Sequence, residues 1–267
     1  MSPSHAPAGD PATILDALTG AWRVLPVTAD SRTQACPAVL AVGATSLASL
    51  EAGAPFFCGP GELARLRALT VPRGREAFLQ GRLAAKVAGR TMLRWLSPMA
   101  DCDPRRLETA HDRLGRPCFL GVAAFGLSLS HCPGLAAAVV FPPDQPFGLD
   151  LERVRPRNAL ALADRFAPSE LAMARAVAPP GCQAAWPLTL LWCLKEALGK
   201  LLGCGVTASP EALPVASLAS RPGGIAAGYA HAAGCQGLAV ASPSMILALA
   251  APGGVGLELD LGALPLD

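Results

Sequence analysis

The stretch GLDLERV, Gly148–Val154, sets two carboxylates into an oily region. The twenty residues before Asp144 carry no formal charge beyond a histidine, His131. Asp150 and Glu152 then arrive two residues apart, each preceded by leucine. Read as a strand, residues i and i+2 share a face, so both carboxylates point the same way. Two hard oxygen ligands on one rigid face form half of a Mg²⁺ site. Alternation on a half-exposed strand gives the same pattern without chemistry. The chain contains its own control in GLELD, Gly256–Asp260, which repeats the pattern near the C-terminus.

Working outward from GLDLERV, RPCFL, LSLSH and LAAAVVF read as short strands broken by GVAAFG and PG, with a further strand near Ala38–Val42. ELARLRAL and REAFLQGRLAAKVAGRTMLRWL have the spacing of a short and a long amphipathic helix. Phe78, Leu79, Leu83, Val87 and Leu93 form the apolar stripe of the second, with Arg75, Arg82, Lys86 and Arg90 elsewhere. After GLDLERV, RNALALADRF and SELAMARAV read as helices. QAAWPLTLLWCLKEALGKLL reads as a long helix starting at Pro187 and stopped by Gly203 and Gly205. Hairpin-like strands run to the end. Helices flanked by mostly antiparallel strands give an α+β class. The expected division is an N-terminal extension over 1–35, one subdomain over 36–145 and a second over 146–267, with no strict sequence repeat.

The 267 residues are 52% hydrophobic and 16% charged, enough for a substantial core. A net charge of +2 argues against a nucleic-acid binder, which needs a basic stripe. Nine scattered cysteines with no C-x-x-C speak against zinc and a disulfide framework, and for free thiols in the cytoplasm. The N-terminus shows no signal-peptide pattern. Mean hydropathy is +0.39, and residues 222–257 carry no charge. Glycine and proline divide that stretch into runs of strand length, which predicts buried strands and no membrane span.

WCLKEALGK, Trp192–Lys200, adds a charged cluster to an apolar helix. Glu196 and Lys200 share a face at i and i+4, with Trp192 one turn the other way. Burying unpaired charge is costly, so such a cluster marks a candidate site. Glu196 is a candidate third carboxylate, and Lys195 and Lys200 are candidate partners for a phosphate. Ser130 and His131 close a strand in LSLSHCPG, and Arg116 stands in the tight turn GRP. The sequence contains no Walker-type loop and no G-x-G-x-x-G.

The order GRP, SH-x-x-G, G-L-D-L-E and W-x-x-K-E-A-x-x-K, supported by FLQGRLAAK and ADRFAPSE, resembles the 4'-phosphopantetheinyl transferases, especially the larger pseudo-dimeric surfactin-type members, over roughly residues 38–250. The resemblance implies two similar α/β subdomains packed as a pseudo-dimer. It also implies transfer of 4'-phosphopantetheine from coenzyme A to a serine of an apo acyl- or peptidyl-carrier protein, releasing adenosine 3',5'-bisphosphate. Asp150, Glu152 and Glu196 would hold Mg²⁺, or Mn²⁺ in its place. Glu196 would also be a candidate base, and Lys200 with Lys195 would steady phosphates. Ser130, His131, Arg116 and Arg65 would contact the cofactor. The carrier would dock on Arg157–Ala178, with Phe166 as candidate anchor and Arg165 as charge partner. The expected state is a monomer without nucleic-acid or membrane partners. The rival readings are a non-catalytic relative that binds coenzyme A or a carrier, and a metal-dependent phosphohydrolase. Mutual repulsion of the carboxylates predicts that Asp150→Ala leaves metal-free stability unchanged or raised.

Overall fold

A computed structural model describes residues 11–20, 22–27, 38–97, 99, 102–156, 162, 164–204, 209–253 and 257. The chain is α+β, with six α-helices among the described residues and small antiparallel sheets. The elements run α1 (Pro11–Leu18), β1 (Arg23–Val27), β2 (Ala38–Gly43), α2 (Leu47–Phe57), α3 (Pro60–Ala68), α4 (Pro72–Leu96), β3 (Thr109–His111), β4 (Pro117–Phe119), β5 (Gly126–Cys132) and β6 (Leu135–Phe141). They continue with β7 (Gly148–Arg153), α5 (Pro168–Ala176), α6 (Ala185–Leu202), β8 (Val215–Arg221), β9 (Gly224–Tyr229), β10 (Cys235–Ala241) and β11 (Met245–Pro252).

One sheet has the order β1-β2-β6-β5, a second β7-β11-β10-β9-β8, and β3 pairs with β4 as a separate ribbon. The two larger sheets repeat one plan. A first strand (β2 or β7) leads through helices to a long one (α4 or α6), then to a ribbon (β3-β4 or β8-β9). The last two strands (β5-β6 or β10-β11) follow, with the final strand pairing beside the first. Each long helix packs on its own sheet. In α4 the packing face carries Ala84, Ala85 and Ala88, all fully buried, whose small side chains let the helix approach the strands closely. Residues 1–35, expected as an extension, supply α1 and the edge strand β1, which pairs antiparallel with β2.

Most predicted elements are present. The uncharged 222–257 stretch contains β9, β10 and β11, and among the described residues no helix is long and apolar enough to cross a membrane. Helix α6 begins at Ala185, two residues before the predicted Pro187, and ends at Gly203 in the left-handed region. Helix α2 escapes the sequence reading because Gly53 and Pro55 lie inside it; Ser46 caps its start by accepting the Ser49 N–H. RNALALADRF falls mostly outside the described residues, as do all of GLELD but Leu257 and the predicted stop at Gly205.

Two charges of α4 depart from the predicted polar face. Lys86 is 0% exposed and Arg90 4%. Lys86 is held by Glu62 of α3, at 2.7 and 2.8 Å to the two carboxylate oxygens, and donates to the Leu107 carbonyl. Glu62 also accepts the Gly59 N–H at the start of α3 and the Thr109 N–H at β3. The second half repeats this device. Glu170 of α5 accepts the Ala167 N–H, the Val215 N–H at β8, and Lys195 of α6 at 2.8 Å. Both glutamates stand third in P-x-E-L-A, at Pro60–Ala64 and Pro168–Ala172, a short repeat that the sequence reading passed over.

Candidate active site

The two sheets meet edge to edge where β5 runs beside β7. Serine hydroxyls complete the seam: Ser128 Oγ accepts the Leu149 N–H and Ser130 Oγ accepts the Leu151 N–H, both at 3.1 Å. Buried strand edges need such partners for their backbone groups. Helix α6 lies against β7 closely enough that a Cβ on Gly148 would fall 1.9 Å from the Ala197 carbonyl oxygen. Glycine at 148 therefore permits the contact that sets Asp150 beside α6.

Asp150 is 4% exposed. Its Oδ1 accepts from Ser130 Oγ at 2.9 Å and from Lys200 Nζ at 2.8 Å. Its Oδ2 is buried without a hydrogen-bond partner. Lys200 also donates to the carbonyls of Leu149 at 2.8 Å and Leu129 at 3.3 Å, tying α6 to both strands. Burial, with added repulsion from Asp150, pushes Glu152 up to about 7, and Lys200 opposes the shift. Burial and Asp150 likewise raise Glu196, again opposed by Lys200. The three carboxylates thus share one electrostatic neighbourhood. Among the described residues no three His, Cys, Asp or Glu groups are gathered closely enough to form a ready metal cage. Hard oxygen donors, incompletely neutralised charge and a buried carboxylate oxygen without a partner nonetheless fit a divalent cation.

Residues 146–235 match the sequence model of the 4'-phosphopantetheinyl transferase superfamily. They are a 4'-phosphopantetheinyl transferase superfamily domain. The matched region contains Asp150, Glu152, Glu196 and Lys200. Comparison with curated proteins found no match.

The transferase-family domain borders a cavity of about 600 Å³ that also takes its walls from the first half. Arg116, Phe125, Phe147, Glu196, Lys200 and Gly203 line it. Arg116 is carried by a turn with Gly115 in the left-handed region. Asp112 organises this turn, accepting the Leu114 and Arg116 N–H groups at 2.9 Å and Arg116 Nε at 2.8 Å. These bonds hold the Asp112 carboxyl below its usual range, the Arg116 N–H contributing most. Gly203 packs on the Arg116 side chain, bringing the turn to the end of α6. His131 is open to solvent at the end of β5; partial desolvation by the surrounding groups, then Lys200, depress its imidazole below the usual range.

Three expected residues are placed differently. Lys195, expected at a phosphate, is buried against Glu170 and the Pro210 carbonyl, where its charge supports the fold. Phe166, the candidate carrier anchor, is buried in the core around α6, and Lys195 Nζ lies 5.1 Å from its ring centre. Arg165 remains exposed. Arg65 is exposed on α3 and does not line the cavity. The sequence reading missed Asp112. Arg82 stacks on Phe78 at 4.3 Å and lies 3.7 Å from Glu62, outside the cavity lining. The signal for Asp112 was its place three residues before Gly115, where a side chain can cap a tight turn. Cys132, beside His131, is buried and pushed up to about 11, which leaves it inert as a nucleophile.

Proposed function

We propose that the protein transfers 4'-phosphopantetheine from coenzyme A to a serine hydroxyl of an apo acyl- or peptidyl-carrier protein, releasing adenosine 3',5'-bisphosphate. The observation that carries this reading is the convergence of Asp150, Lys200 and Glu196 at the edge of a cavity shared by both halves. Apolar residues such as Phe125 and Phe147 line the cavity together with the basic groups of Arg116 and Lys200, which suits a nucleotide bearing a pyrophosphate. Asp150, Glu152 and Glu196 are the residues that would hold Mg²⁺. When bound, the ion would neutralise charge developing on the pyrophosphate. Lys200 and Arg116, both in the cavity wall, would orient the anionic cofactor. As the serine oxygen bonds to phosphorus and the bridging P–O bond breaks, the serine proton needs an acceptor. Glu196 lines the cavity and is placed to take that proton, directly or through water, when it is not itself bound to the ion.

The repeated plan within one chain supports the surfactin-type reading, a boundary between residues 145 and 146, and action as a monomer. Thiols at Cys58, Cys132 and Cys193 are free and suit a reducing cytoplasm. Incubation with coenzyme A, Mg²⁺ and several apo carrier proteins tests the function. The expected result is a carrier heavier by one phosphopantetheine group, with no product in EDTA and recovery on adding Mg²⁺. Coenzyme A hydrolysis without any carrier would point to a phosphohydrolase, and binding without either product to a non-catalytic relative.

A further inference from the structure

A lysine ammonium has three N–H donors and no acceptor. In Lys200 all three are engaged, by the Leu129 and Leu149 carbonyls and by Asp150 Oδ1. None remains for an anion, although Lys200 stands in the cavity wall with its side chain 25% exposed. Asp150 is in the complementary state: Oδ1 has two donors, and buried Oδ2 has none. A dication on Oδ2 would sit beside an ammonium on the same carboxylate, and like charges at that separation repel.

We propose that Lys200 is a stand-in cation: it neutralises Asp150 in the metal-free protein and gives up that bond when a divalent cation binds. The N–H released from Asp150 then turns to the anion that shares the metal. The carbonyl bonds keep the ammonium at the seam, because Leu129 and Leu149 belong to adjoining strands whose backbones are fixed by their sheets. The lysine thus serves two states in turn, holding the carboxylate in shape before loading and meeting phosphate afterwards. This inference rests on the proposed divalent-cation and pyrophosphate site.

Titration with Mn²⁺ alone, following the resonance signal of the free ion, tests the antagonism without any turnover. Lys200→Met is expected to bind Mn²⁺ about tenfold more tightly than wild type, equivalent to about 1.4 kcal/mol. Its affinity for coenzyme A in Mg²⁺ is expected to fall. Equal or weaker Mn²⁺ binding by folded Lys200→Met overturns the proposal. Wild type supplies a measurement that does not depend on the variant folding. In nitrogen-labelled lysine spectra, Mg²⁺ alone should move the Lys200 ammonium signal, and a signal unmoved at saturation overturns the proposal as well. A wild type that binds no divalent ion, with or without coenzyme A, removes the metal reading itself.

Discussion

A buried carboxylate seeks a partner for each oxygen, and Asp150 has partners on one. Repulsion from Glu152 and Glu196 alone would make Asp150→Ala neutral or stabilising, but Lys200 reverses that expectation. Removing Asp150 leaves a half-buried ammonium and the Ser130 hydroxyl each short of an acceptor. We expect Asp150→Ala to lower metal-free stability by about 1–3 kcal/mol in urea denaturation. Transfer should fall about a hundredfold or more. Glu152 gives the pH dependence. Folded, it holds its proton to about 7, against 4.5 for the ordinary carboxyl. The folded state therefore binds a proton that the unfolded chain has released. Its stabilising effect is complete below about 4.5 and lost as pH rises to about 7. In EDTA, the melting temperature should decline from pH 5 to pH 7.5. Glu152→Gln should flatten much of that slope, leaving the smaller contribution of Glu196, whose shift has the same sign.

At the scale of elements, the contact of α6 with β7 decides whether the carboxylates share a site. A methyl group at 148 would meet backbone atoms of Ala197 and Leu201, which have no rotamer by which to yield. Gly148→Ala should cost about 1–3 kcal/mol or more by overpacking and reduce kcat by parting Asp150 from Glu196. Gly81 in α4 is the opposite case. A Cβ there meets nothing within 4 Å, so Gly81→Ala should stabilise by about 0.5–1 kcal/mol. Thermal melting and steady-state kinetics of these two variants separate a glycine required by contact from one that is not. Phe166 belongs to this scale too. It packs beneath α6 and against Lys195, so its truncation should damage the fold and both substrate affinities together.

Across the whole molecule, a buried Glu–Lys pair recurs once in each half, and each pair anchors a short helix, a long helix and the following ribbon. Lys86→Met and Lys195→Met should each cost about 3–5 kcal/mol, because each strands a buried carboxylate. Adding Glu62→Gln or Glu170→Gln to the matching lysine variant should recover part of the loss. Chemical denaturation of the singles and doubles measures this coupling. A loss of stability in Lys195→Met that its paired change restores, with coenzyme A affinity kept, identifies Lys195 as a fold residue. Chemistry did not follow the repeat. The strand β2 that answers to β7 reads AVLAVG, without a carboxylate, so among these paired strands only β7 carries the acidic residues.

The sequence by itself determined the α+β class, the strand GLDLERV with its one-sided carboxylates, and the face shared by Glu196 and Lys200. Each follows from a local period or from the turn chemistry of glycine and proline. Helix α2 was hidden because Gly53 and Pro55 mask a helix whose last turn tolerates them within a packed core. Which lysine lies beside Asp150 was decided only by tertiary structure. Lys195 and Lys200 look alike in the motif, but a cation is drawn to whatever carboxylate the fold sets beside it. Glu170 claims Lys195 from a helix 25 residues away, and Asp150 claims Lys200 from a strand 50 residues away. Electrostatic pairing acts through space, and no local pattern in the chain encodes which acid and base will meet.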